Sequence, residues 1–135
     1  MTPEETAKIK SLKDRSEIFN YVVDHLRRQG KASKLTESCG DQICAYRGDG
    51  GTMCAVGALI TDDEYQESWE CCGIHTLLKE FILPNSLLGR LLPHEEMLGC
   101  LQHFHDDKLS YEDGVFSEES EERLTELRNQ WGIEQ

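Results

Sequence analysis

Between residues 14 and 29 the apolar positions Ile18, Phe19, Val22, Val23 and Leu26 recur at helical spacing, which predicts an amphipathic helix there. Gly30 stands where a C-terminal cap belongs, and Arg27 and Arg28 suit the negative end of the helix dipole. Residues 31–42 are polar and read as a connection. From Ile43 the texture changes to ICAYR, GDGG and TMCAVGALI, two β-prone runs around a glycine-rich turn. That predicts a β-hairpin over about 43–58. A three-residue loop at 48–50 would set Cys44 directly opposite Cys54, and a four-residue loop would leave them near neighbours.

Further on, Thr61 and Glu64 have capping-box spacing, which predicts a short helix carrying Tyr65 and Trp69 and broken at Gly73. Ile74, Leu77, Leu78, Phe81 and Ile82 then share one helical face up to Pro84. Asn85 or Ser86 would cap a short helix with Leu87, Leu88, Leu91 and Leu92, and Pro93 would open the next. In that next helix Met97, Cys100, Leu101, Phe104 and His105 form the apolar stripe, so His105 points inward and His103 outward. Residues 106–116 read as a loop. Ser117 caps a last helix that buries Leu124, Leu127 and Trp131. No repeat or linker divides the chain, so the expectation is one α+β domain over 1–135, mainly helical and packed around the small hairpin.

Charge narrows the partners. The 135 residues carry 14 Lys/Arg against 26 Asp/Glu, a net −12. Residues 1–31 hold seven basic against five acidic groups, and residues 32–135 hold seven against twenty-one. Direct binding to a nucleic-acid backbone, which draws on cations displacing counterions, is not expected, and a basic protein surface is the natural partner. No stretch approaches a membrane span or a signal peptide, so the expected location is the cytoplasm, with no membrane partner. The six cysteines are then expected as reduced thiols, and no Cys-x-x-Cys pair is present.

The segments Cys44 to Arg47, Cys54 to Ile60, Asp63 to Tyr65 and Gln102 to Asp106 follow the pattern C-x-Y-R, glycine turn, C-A-V-G-x-L-I, acidic-Y, Q-x-x-H-D. In this the chain resembles a group of small phage- and prophage-encoded proteins. The resemblance runs from the first helix to the His-Asp and implies a phage or prophage setting in a bacterial host, with no mechanism attached.

Three constellations carry candidate chemistry. Cys54, His105 and Asp106 would serve as nucleophile, base and orienting acid of a thiol-dependent hydrolase or transferase. Successive helical side chains diverge by about 100°, however, so Asp106 is badly placed to orient its neighbour unless the helix ends there. Cys44, Cys54 and His105, with one of Cys39, Cys100 or His103, would instead hold a zinc ion in a structural module, although nine residues between the cysteines is not a zinc-knuckle spacing. The plainer alternative is a small cysteine and a hydrogen-bonded histidine packed in the core.

The third constellation is acidic. Glu118, Glu119, Glu121 and Glu122 on the last helix, with Asp62 and Asp63, would mimic a phosphate backbone, or else form a solvated face. Vicinal Cys71 and Cys72 near His75 offer a redox pair or ordinary thiols. Arg47-Gly48-Asp49 and the glycines at 48–51 read as turn chemistry in preference to an integrin tripeptide or an anion nest. Together these features predict a small acidic accessory protein that binds and inhibits a host or anti-phage defence factor without need of catalysis or cofactor. The thiol enzyme and the zinc module are the alternatives.

Overall fold

The computed structural model describes residues 1–36, 42–70, 73–81 and 88–134. The fold is α+β and mainly helical. Helix α1 spans Pro3–Ser11 and is set by its cap: Glu5 N–H donates to Thr2 Oγ1 at 3.1 Å while Thr2 N–H donates to the Glu5 carboxylate. Only Ile9 is buried within it, so it has no apolar stripe to betray it in the sequence. Helix α2, Arg15–Gln29, is the expected one. Asp14 and Glu17 form its capping box, and Gly30 ends it in the left-handed conformation at φ +72°.

The hairpin expected over 43–58 is replaced. Strand β2, Gln42–Cys44, pairs antiparallel with β1, Lys34–Thr36, inside what reads as a polar connection, so Cys44 faces Lys34 and not Cys54. Between the two β-prone runs there is one isolated bridge, Arg47 to Met53, closed by Gly48 N–H to Thr52 C=O at 2.9 Å. Residues 52–60 are buried throughout, without the alternation of a half-buried strand, and coil through a 3-10 turn at Gly57–Leu59. Gly57 permits this because its α-carbon abuts the Tyr46 carbonyl, where any Cβ would collide.

The helix expected at Thr61 is also absent. One turn forms, with Glu64 and Tyr65 N–H both reaching Thr61 C=O, before Gln66 extends the chain into a 3-10 turn at Glu67–Trp69 that buries Trp69. The Thr61 hydroxyl donates to the Glu64 carboxylate instead of accepting from a backbone N–H. Next, α3 (Ile74–Thr76) runs into a π turn at Leu77–Phe81, burying Ile74, Leu77 and Leu78. Ile82, Pro84, Asn85, Ser86 and Leu87 lie outside the described residues.

A 3-10 segment at Leu88–His94 contains Pro93 and leads into α4, Glu95–His103, which continues as a π turn at Phe104–Lys108. The expected loop over 106–116 is in fact a second hairpin, β3 (Tyr111–Glu112) with β4 (Val115–Phe116). Asp113 (φ 53°) and Gly114 (φ 80°) both adopt positive φ, as a tight Asp-Gly hairpin turn requires. Ser117 then caps α5, Glu118–Trp131. Ile18, Phe19, Val22, Val23 and Leu26 of α2 pack in one cluster with residues 54–60, with Met97, Leu98, Leu101 and Phe104, and with Leu124 and Leu127 of α5. Among the described residues no helix is long and apolar enough to cross a membrane.

Candidate functional site

A cavity of about 190 Å³ opens where β2, the turn at Cys54, Glu70, Gly73, Ile74 and the end of α4 meet. Cys44, Tyr46, Cys54, Glu70, Gln102 and Asp106 are among its lining residues. Gln102 and Asp106 are one helical turn apart. The Gln102 carboxamide accepts Val56 N–H at 3.1 Å and donates to Asp106 Oδ1 at 2.9 Å. Asp106 Oδ1 also accepts from His105 Nδ1 at 2.8 Å. The adjacent pair meets because the helix widens there into a π turn, closed by Leu109 N–H to Phe104 C=O at 2.7 Å. His105 is 1% exposed, and its Nε2 accepts Ser33 N–H at 2.9 Å. That bond assigns the ring proton to Nδ1, facing the carboxylate.

The relay Val56, Gln102, Asp106, His105, Ser33 therefore joins three distant segments. Burial works against the charge on Asp106, but hydrogen bonds from His105, Gln102 and Cys44 outweigh it and hold the carboxyl below its ordinary pKa. Burial pushes the Cys54 thiol up to about 12, only partly offset by Gly57 N–H at 3.3 Å from its sulfur. Cys44 is half-buried, and burial raises its pKa too, against the opposing effect of Lys34 Nζ at 3.3 Å.

These contacts bear on the candidate chemistries. Cys54 and Asp106 line one cavity and His105 bonds Asp106 from behind, but the imidazole lone pair is held by Ser33 N–H and is not turned on a thiol, so no base activates Cys54. For a metal, ligand atoms of Cys44, His105 and Asp106 lie within 4.8 Å of one another, and Cys54 stands outside that group. With Nε2 accepting and Nδ1 donating, His105 has no lone pair to offer, which leaves two ligands where structural zinc takes four. Cys100 lies by Gln130, His103 pairs with Asp107 at 2.8 Å, and Cys39, Cys71 and Cys72 lie outside the described residues. Among the described residues the donor set falls short of the four ligands of a structural zinc site.

No family model, curated protein or solved structure matches the chain. Of the patterned residues, Cys44, Tyr46, Cys54, Gln102 and Asp106 line this one cavity. Arg47 ties Asp62 at 2.7 Å and Ile60 C=O at 2.7 Å, with its guanidinium over the Tyr65 ring. Glu70, which the sequence reading passes over, is the hub. Its carboxylate accepts Tyr46 N–H and Arg47 N–H, each at 3.0 Å, and Tyr65 OH at 2.5 Å. No local motif marks Glu70, because all its partners lie five or more residues away. Asp49 accepts from Thr36 N–H and Oγ1 at 3.0 and 2.8 Å, so the Arg-Gly-Asp segment is turn architecture.

The acidic candidates divide. Glu121 is clamped by Arg27 at 2.6 and 3.0 Å, and Asp62 by Arg47 and the amino terminus. Asp63, Glu118, Glu119 and Glu122 are exposed.

Proposed function

We propose that this chain acts by binding: exposed carboxylates on the opening turns of α5 engage a basic surface on a protein partner and thereby inhibit it. In the phage or prophage setting implied by its motif pattern, the partner is a host or anti-phage defence factor in the bacterial cytoplasm. The observation that supports this reading is a contrast along one helix. Arg27 takes up Glu121, whereas Glu118, Glu119 and Glu122 are exposed and, among the described residues, carry no ion pair. The helix dipole stabilises Glu118 and Glu119 in the first turn. Glu122, one turn beyond Glu118, adds like-charge repulsion of about 0.2–0.5 kcal/mol that the fold leaves in place. Neither cavity thiol is activated, so the reading asks for no catalytic step.

The test is quantitative capture from bacterial lysate by the wild-type chain and by the triple variant Glu118→Gln, Glu119→Gln, Glu122→Gln. A partner retained by the wild type, lost by the variant and released by salt is the expected result. A captured set unchanged by the variant refutes the reading.

A further inference from the structure

We infer that the cavity between Cys44, Glu70, Gln102 and Asp106 receives the cationic head of a single lysine or arginine side chain from a protein partner. The inference rests on the reading of this chain as a receptor for a basic protein surface, and names a place where that surface would anchor.

Size excludes most other occupants. At about 190 Å³ the cavity is smaller than the roughly 300–1,000 Å³ of typical metabolite and cofactor pockets. It corresponds to the volume of about six waters at roughly 30 Å³ each, which is the scale of one side-chain head.

Chemistry then selects a donor. Two carboxylates, Glu70 and Asp106, line the cavity, and among the described lining residues there is no lysine or arginine. The Gln102 carboxamide N–H groups are already given to Asp106 and to the Cys54 sulfur, and the Tyr46 backbone N–H to Glu70. Asp106 receives its hydrogen bonds from His105, Gln102 and Cys44, Glu70 receives its own from the Tyr46 and Arg47 N–H groups and Tyr65 OH, and Arg47 turns its guanidinium to Asp62 and Ile60, so among the described residues neither lining carboxylate forms an ion pair with a lysine or arginine side chain. A ligand that brings positive charge and N–H donors complements this lining, and an anion or an acceptor does not. The chain supplies its own precedent: the Lys34 ammonium donates to Cys44 Sγ at 3.3 Å, beside Asp106.

The experiment is a ¹⁵N NMR titration of the full chain with N-acetyl-lysine methylamide and N-acetyl-arginine methylamide, with the neutral N-acetyl-citrulline methylamide as control. Saturable shifts centred on Tyr46, Ile74 and the Gln102 side chain are expected with one or both cations, and none with citrulline. The cation that binds more tightly identifies the residue. Asp106→Asn keeps an oxygen for His105 and Gln102 and should weaken binding about tenfold or more. Lys34→Ala removes the internal competitor and should strengthen it. Should Asp106→Asn fail to fold, Lys34→Ala decides, and an affinity no higher than wild type overturns the inference.

No saturable shift from either cation, an equal response to citrulline, or wild-type affinity in the charge-removed variant overturns the inference. Because these probes report on the cavity alone, that outcome leaves the α5 surface to its own triple-variant test, and failure of that test leaves the cavity result standing.

Discussion

Replacing His105 with Phe tests whether the relay beneath the cavity is part of the fold. The ring would still fill a site that is 1% exposed, but the Ser33 N–H would lose its acceptor and Asp106 one of its donors. A buried donor left unsatisfied costs about 1–3 kcal/mol, and a hydrogen bond to a charged group contributes about 1.5–3 kcal/mol. Together these predict a loss of about 3–5 kcal/mol, a large part of the roughly 5–15 kcal/mol typical of a domain. In urea denaturation followed by circular dichroism, with a slope of about 2 kcal/mol/M, the midpoint should fall by about 1.5–2.5 M. His105→Gln places an amide oxygen near the former Nε2 and should recover at least about 1 kcal/mol of that loss. A loss below about 1 kcal/mol for Phe, or no advantage of Gln over Phe, would refute the assignment of Nε2 as acceptor and Nδ1 as donor.

Three further outcomes follow from the same geometry. The Asp106 carboxyl has a lowered pKa in the folded state, so the unfolded chain binds its proton more readily; its stabilising contribution is present above the ordinary value of 3.8 and fades as pH falls below it. Urea midpoints measured from pH 5 to pH 2 should therefore decline more steeply for wild type than for Asp106→Asn, and parallel curves would contradict the shift. With its thiol pushed to about 12, Cys54 should resist iodoacetamide in the folded protein near neutral pH while the half-buried Cys44 reacts ahead of it; peptide mass spectrometry reads the order, and selective labelling of Cys54 would revive the thiol-enzyme alternative. Gly57→Ala should destabilise the fold by about 3 kcal/mol or more, since the new methyl meets the Tyr46 carbonyl, a rigid neighbour; a thermal midpoint equal to wild type would show that this close approach is not required.

What the sequence determined by itself was the set of elements whose signals are local. Asp14, the stripe Ile18 to Leu26 and Gly30 make α2, and Ser117 with Leu124 and Leu127 makes α5, because caps and stripes act between residues three or four apart. The inward turn of His105 and the outward turn of His103 follow from the same period. The Asp-Gly pair at 113–114 was an equally local signal for the second hairpin, and it lay within a stretch read as loop.

Local chemistry was not always enough. Thr2 and Thr61 carry the same capping-box spacing, yet only Thr2 starts a helix. At Thr61 the hydroxyl turned to the Glu64 side chain, and the chain extended to bury Trp69. Tertiary structure decided which segment β2 paired with, and it chose the polar residues 34–36 over the apolar run that followed. It also decided that Glu70 would hold Tyr46 and Arg47, and that His105 would spend its lone pair on Ser33, 72 residues away. The physical reason is common to all three. A buried backbone donor must find an acceptor, and which acceptor reaches it depends on how the whole chain packs, a quantity no window of sequence contains.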